Sequence, residues 1–199
     1  MKISKLRKGF TMIELLIVIA VLGILAVAVL SAINPIEQIN RGKDTGSRSD
    51  AEQLISAVDR YYTGVGFYPW RTGSSGSGTG ADEQAWLRIE TPTTWVDSGS
   101  VSVLSKLDGT ATGAVSGEVK SSFTTRISST GYNYLWVYNE GANGNSTYVC
   151  FNGKSASFQA EAKARCDGTM GAIPDDLVSD NVCEVSVDSV SDQYLTCLP

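Results

Sequence analysis

Between Phe10 and Ile33 only Thr11, Glu14 and Ser31 are clearly polar, and this stretch leaves the chain few ways to begin its fold. As a helix rising about 1.5 Å per residue it reaches roughly 36 Å, enough to cross a hydrocarbon core about 30 Å thick. Lys2, Lys5, Arg7 and Lys8 precede it, whereas from Gly64 onward 8 basic residues face 15 acidic ones. The positive-inside rule then predicts a cytoplasmic N-terminus and a C-terminal part outside. A secretory signal peptide is the bland alternative, but its apolar run is about 7–15 residues and ends at a small-x-small cleavage site. An ordinary single-pass anchor fits the length better.

Glu14 separates these readings. A carboxylate near the centre of a membrane helix costs on the order of 3 kcal/mol and generally has a partner. Only four residues past Phe10, Glu14 has the option of snorkelling to the interface. The preceding Gly9-Phe10 suggests another solution. Cleavage after Gly9 creates an α-amino group on Phe10, the opposite charge that Glu14 on a neighbouring, staggered chain needs.

The segment Lys8-Gly9-Phe10-Thr11-Met12-Ile13-Glu14-Leu15-Leu16 resembles the class III signal sequence of type IV pilins and type II secretion pseudopilins. The resemblance implies a membrane aspartyl prepilin peptidase that cuts after Gly9 and N-methylates Phe10, with Glu14 as the glutamate that registers subunits. Met12 stands where leucine is common. Gly23 matches a mid-helix glycine of many type IV pilins, and their helix-distorting proline appears only later, as Pro35. The stretch from Gly23 to Pro35 is therefore a candidate for loosening in a filament, glycine costing about 1 and proline about 3 kcal/mol in a helix interior. Pro35 equally suits a simple kink or restart after Asn34.

The implied architecture is α+β and pilin-like: a long N-terminal helix packed on a small antiparallel sheet. The expected divisions are a leader at 1–9, a transmembrane and assembly helix at 10–34, an amphipathic helix at 35–63, and a globular head at 64–199. Ala51, Leu54, Ile55, Val58, Tyr61 and Tyr62 recur at three- and four-residue intervals as the apolar face. Arg48, Asp50, Glu52, Asp59 and Arg60 are placed on the other sides, and Gly42 and Gly46 predict a break. Gly64 to Trp70 ends the helix, and Gly66-Phe67-Tyr68-Pro69 resembles the post-helix turn of many pseudopilins. The Gly, Ser and Thr run from Gly73 to Gly80 reads as a loop, since no strand precedes it and no Lys-Ser/Thr ending follows to make it a phosphate cradle.

Ala81 to Glu90 is expected to be a short helix, and Ser98 to Thr130 to hold short strands. Tyr132 to Tyr138 and Thr147 to Phe151 read as a hairpin about the Gly141–Asn145 turn, with Trp136 and Tyr138 against the amphipathic helix. A helix from Ser155 to Arg165, capped by Ser155, is expected to carry Cys166 back to Cys150. Cys183 to Val187 and Gln193 to Cys197 make a final hairpin.

All four cysteines, Cys150, Cys166, Cys183 and Cys197, lie in the last quarter, and no Cys-x-x-Cys occurs. In a chain with a membrane-targeting start they read as two disulfides formed in an oxidising compartment. Three connectivities are open, and the shortest loops favour Cys150–Cys166 with Cys183–Cys197.

The chain has no histidine, which removes the commonest general base, the usual zinc ligand and the Ser-His and Cys-His pairings. No cofactor is expected. Asp175, Asp176 and Asp180 are weak calcium candidates, because their spacing matches no EF-hand loop. The acidic head argues against nucleic acid as a partner. Together with these exclusions, the resemblance implies a non-enzymatic filament subunit, expected to be inserted as a single-pass precursor in the cytoplasmic membrane and then to enter an extracellular or periplasmic filament. Its expected partners are the prepilin peptidase, other pilin subunits, an assembly platform and the membrane. The alternatives are a pseudopilin of a type II secretion system and a DNA-uptake or adhesive minor pilin, with an enzymatic single-pass protein the remotest.

Overall fold

Asn34 and Pro35 set where the second helix starts. The Asn34 side-chain oxygen accepts the Glu37 N–H at 3.4 Å, and proline at the first helical position loses only a donor that has no intrahelical partner there. The computed structural model describes residues 9–199 except 33, 74–81, 115–116, 131–132, 142–144, 178–180 and 188–189. The basic residues of the expected leader, most of the Gly73–Gly80 loop, the centre of the 141–145 turn and Asp180 lie outside the described residues. Contacts divide the chain into Met1–Gln38 and Ile39–Pro199.

The first unit contains α1 (Met12–Ala32) and the opening residues of α2 (Pro35–Val65). Helix α2 runs without a break through Gly42 and Gly46, against expectation. Three hydrogen bonds to the head span this stretch and offset the glycine cost. Asp44 accepts the backbone N–H groups of Lys154 and Ser155 at 2.8 Å each, and Ser47 Oγ accepts from Asn133 Nδ2 at 2.8 Å. After Val65 the chain turns at Gly66, whose φ of 86° suits glycine.

The second unit is built on a four-stranded antiparallel sheet in the order β1-β2-β3-β6, from β1 (Gln84–Ile89), β2 (Leu135–Asn139), β3 (Tyr148–Asn152) and β6 (Leu195–Leu198). Strand alternation sends Leu135, Val137, Val149 and Phe151 into one core with Leu54, Val58 and Tyr61 of α2. Trp136, Tyr138, Tyr148 and Cys150 enter a second core with Leu177, Val182, Val187 and Leu195. The expected packing of Trp136 and Tyr138 on α2 is therefore wrong by one strand face. Every residue of β2 is buried because the sheet is covered on both sides.

The segment expected as a helix at 81–90 is instead strand β1. Leu87 and Ile89 pair with Val137 and Leu135 and face α2, while Trp86 turns to the opposite core. That period-two pattern overrides the local helix propensity. Between residues 98 and 130 the expected strands are replaced by two short helices, α3 (Val103–Leu107) and α4 (Ser121–Ile127). Val103, Leu104 and Leu107, and then Phe123 and Ile127, give each a buried stripe at helical spacing.

On α2, Ala51, Leu54, Ile55, Val58 and Tyr61 are buried as expected, but Tyr62 is exposed and its ring lies tilted against that of Tyr68, with centroids 4.7 Å apart. Asp50 is buried, not solvated, and is ion-paired with Arg126. Helix α5 (Ala156–Cys166) begins as expected, the Ser155 hydroxyl accepting the Phe158 N–H at 3.4 Å.

The disulfides are Cys150–Cys197 and Cys166–Cys183, which overturns the sequential pairing. Strand register decides the matter, not loop length. Cys197 of β6 lies directly opposite Cys150 of β3, with Cα atoms 4.0 Å apart. The expected last hairpin is split. Strands β4 (Val185–Val187) and β5 (Val190–Gln193) pair with each other, and β6 leaves them at Tyr194 for the main sheet. Gln159 holds that departure, accepting from Tyr194 N at 3.0 Å and donating to Tyr194 O at 3.1 Å. Helix α5 consequently delivers Cys166 to Cys183, not to Cys150.

Candidate functional site

The N-terminal segment is organised by Thr11. Its hydroxyl accepts the Glu14 N–H at 3.2 Å and its carbonyl accepts the Leu15 N–H at 3.2 Å, so Thr11 is the cap of α1. Thr11-x-x-Glu14 has the spacing of a capping box, a signal the reading from apolar length passed over. Glu14 sits in the first turn, where the positive end of the helix dipole favours a carboxylate. Gly9 and Phe10 precede the helix in non-helical conformation, with Phe10 84 % exposed.

Beyond this cap, α1 is apolar on every side. Its 21 residues span about 31 Å at 1.5 Å per residue, and the stretch Met12–Ser31 has none of its residues buried within the chain. Met12, Ile24 and Leu30 are each at least 70 % exposed. Soluble monomers rarely show contiguous apolar patches above a few hundred Å². This helix requires lipid or other protein around it. Gly23 lies mid-helix with no atom within 4 Å of where a Cβ would stand, so no internal contact of this chain demands glycine there. The interruption between α1 and α2 coincides with Asn34-Pro35, while Gly23 stays helical.

The other predicted site residues are dispersed. Asp176 accepts from Tyr148 Oη at 2.6 Å and from Ser146 N at 3.1 Å. Burial alone would raise the Asp176 carboxyl, but the Tyr148 hydroxyl and the Ser146 N–H outweigh it and hold the acid below its ordinary value. The same burial, reinforced by the Asp176 charge, pushes the Tyr148 phenol up to about 12. Both Asp176 oxygens thus serve internal donors. Asp175 is exposed, and Asp180 lies outside the described residues. Among the described residues no group of three or more His, Cys, Asp or Glu is placed to hold a metal ion. The four cysteines stitch the head's last third and form no common site.

A second buried anchor was not foreseen from the sequence. Lys106 Nζ lies 2.6 Å from Asp97 Oδ2 and donates to the carbonyls of Pro69 at 2.9 Å and Arg71 at 2.8 Å, so all three ammonium donors are used. Asp97 Oδ1 accepts from the N–H groups of Gly99 and Val101. Burial works to raise the Asp97 carboxyl, and the Lys106 ammonium with the two N–H groups more than reverses it, leaving the acid below its ordinary value. This network pins the post-helix turn to the 97–101 loop and α3; it is structural.

Residues 4–30 match the family model described as the prokaryotic N-terminal methylation motif. The chain is 39% identical over 79 residues to a fimbrial protein of Neisseria meningitidis serogroup B, covering 40% of this chain and 45% of that protein. It is 41% identical over 73 residues to a type IV major pilin protein PilE of Neisseria gonorrhoeae, covering 37% of this chain and 42% of that one. The chain thus spans less than half the length of the curated relatives it matches. No solved structure matches it. The methylation motif, the exposed apolar helix and these relatives together support membership of the type IV pilin family.

Proposed function

We propose that this chain is the precursor of a structural subunit of a type IV pilus-like filament and acts by assembly, not catalysis. The observation that carries the reading is an apolar helix with no buried residue from Met12 to Ser31, opening on Thr11-x-x-Glu14 directly after Gly9-Phe10. In this reading a prepilin peptidase hydrolyses the Gly9–Phe10 bond, leaving a carboxylate on Gly9 and an α-amine on Phe10, which is then methylated. The precursor sits in the cytoplasmic membrane with its N-terminus inside. An assembly platform transfers helices from lipid into a bundle, where dispersion contacts between apolar side chains replace those to lipid tails. Glu14 of one subunit then faces the Phe10 amine of a neighbour, each charge supplying the partner that the other needs away from water.

Mass spectrometry of the mature protein and negative-stain microscopy of the producing strain test this. Gly9→Ala should leave the precursor at full mass, and Glu14→Ala should be cut normally yet yield few filaments. Normal processing of the first variant, or abundant filaments from the second, contradicts the reading. Long surface filaments separate a pilus from the short filament of a type II secretion system.

A further inference from the structure

The head carries a groove of about 630 Å³ on the sheet face turned away from α2, within the range of small-molecule sites. One wall comes from β1 and β2, with half-buried Trp86, Arg88 and buried Trp136; the other comes from residues 181–187, with Asn181, Glu184 and Ser186. Trp86 is held in place by Tyr138, its ring centroid 6.0 Å away. Arg88 lies over the Tyr134 ring at 4.8 Å and is ion-paired with Glu90, which fixes its guanidinium at the rim. Trp136 is a buried member of the second core, and half-buried Trp86 packs at that core's edge, so Trp86 is the aromatic that presents a ring to the groove.

We propose that this groove binds a neutral saccharide. The exposed part of the Trp86 indole offers a face for the C–H side of a pyranose, and the Asn181 amide, the Ser186 hydroxyl and the Glu184 carboxylate supply donors and acceptors for its hydroxyls. Charge selects the class. Arg88 is neutralised by Glu90, so Glu184 leaves the groove weakly acidic, and the head around it is acidic too, with 8 basic against 15 acidic residues from Gly64 onward. An anionic ligand is repelled, whereas a neutral one needs no charge partner that the groove would have to supply. An extended peptide is the poorer fit, because strand addition reads the backbone at a sheet edge, whereas this site is made of side chains on a sheet face. The site's relevance to a filament rests on the proposed assembly, since α2 occupies the other side of the sheet.

The test is isothermal titration of the full chain in detergent micelles with neutral trisaccharides of glucose, galactose and N-acetylglucosamine. At least one should bind saturably. Trp86→Ala should weaken that binding about tenfold or more, and Trp86→Phe should retain part of it by keeping a ring face. Asn181→Ala, at a half-buried position, and Ser186→Ala, at an exposed one, should each weaken it about threefold and guard against misfolding of the tryptophan variant. Absence of saturable binding by all three sugars overturns the proposal, as does affinity unchanged in all these variants. Competition of the bound sugar by an extended tetrapeptide also overturns it. Microscopy keeps the two readings apart: absent filaments refute the assembly function while leaving the micelle titration interpretable, and normal filaments without sugar binding refute only the groove.

Discussion

The buried carboxylate of Asp44 on α2 accepts the backbone N–H of Ser155, the cap of α5, at 2.8 Å across 111 positions of sequence. Its other oxygen takes the Lys154 N–H at 2.8 Å. The helix is thereby joined to the turn after β3 by main-chain hydrogen bonds to a charged acceptor, which are worth more than neutral ones. Gly153 permits the approach, since a Cβ there would stand 2.6 Å from the Phe158 Cβ.

Replacing Asp44 by alanine leaves two N–H groups without their acceptor. Asp44→Ala should lower unfolding free energy by about 2–4 kcal/mol. Asp44→Asn, which keeps one carbonyl acceptor, should cost less. Urea titration of the detergent-solubilised chain followed by circular dichroism measures both.

Acid and alkali should act on different anchors. Asp97 and Asp176 are both held below the ordinary carboxylate value. Their stabilisation is complete above the unfolded-state value of about 3.9 and is lost as pH falls through the folded values. Tyr148 runs the other way. Raised to about 12, it contributes fully below an unfolded-state value of about 10 and loses that contribution as pH rises toward the folded value. Thermal melts against pH should show Tyr148→Phe removing part of the alkaline loss, the rest staying with Tyr61 and Tyr138, which burial also raises. Lys106→Met, which strands a buried Asp97, should cost about 3–5 kcal/mol at neutral pH.

Gly42 and Gly46 lie inside a continuous helix, and a Cβ at either position meets nothing within 4 Å. Gly46→Ala and Gly42→Ala should each stabilise the isolated subunit by about 1 kcal/mol. A gain in thermal midpoint accompanied by poorer filament yield would mean that the neighbouring subunit occupies that space.

Peptide mapping without reduction should recover Cys150 linked to Cys197 and Cys166 linked to Cys183. The bridges close 47 and 17 residues of sequence, so in the chain-entropy model their removal as serine pairs costs about 4 and 3 kcal/mol.

Local patterns carried much of this fold. The apolar stripe from Ala51 to Tyr61, the hairpin of β2 and β3, and the Ser155 cap were all legible because each is set by neighbours within a few residues. The errors share one cause. Asp50 lies off the apolar stripe of α2, yet its partner Arg126 is 76 positions away, and Asp44, which no local pattern marks, holds an N–H 111 positions away. The face chosen by Trp136 depends on which sheet side α2 covers, and the cysteine pairing depends on where β6 inserts. At the N-terminus the spacing of Glu14 to Thr11 marks a helix start in addition to the charge and motif position that single Glu14 out.

Strand β6 is the penultimate stretch of sequence, and its Cys197 is bonded to Cys150 in the middle of the head. Traction between α1 and the C-terminus therefore crosses from residue 150 to residue 197 through a covalent bond, bypassing α5, β4, β5 and the enclosed Cys166–Cys183 bridge. Roughly 160 Å of backbone, at about 3.4 Å per residue, is withheld from extension however hard the chain is pulled. Under load the last third of the head is cargo, and only the sequence before Cys150 can lengthen.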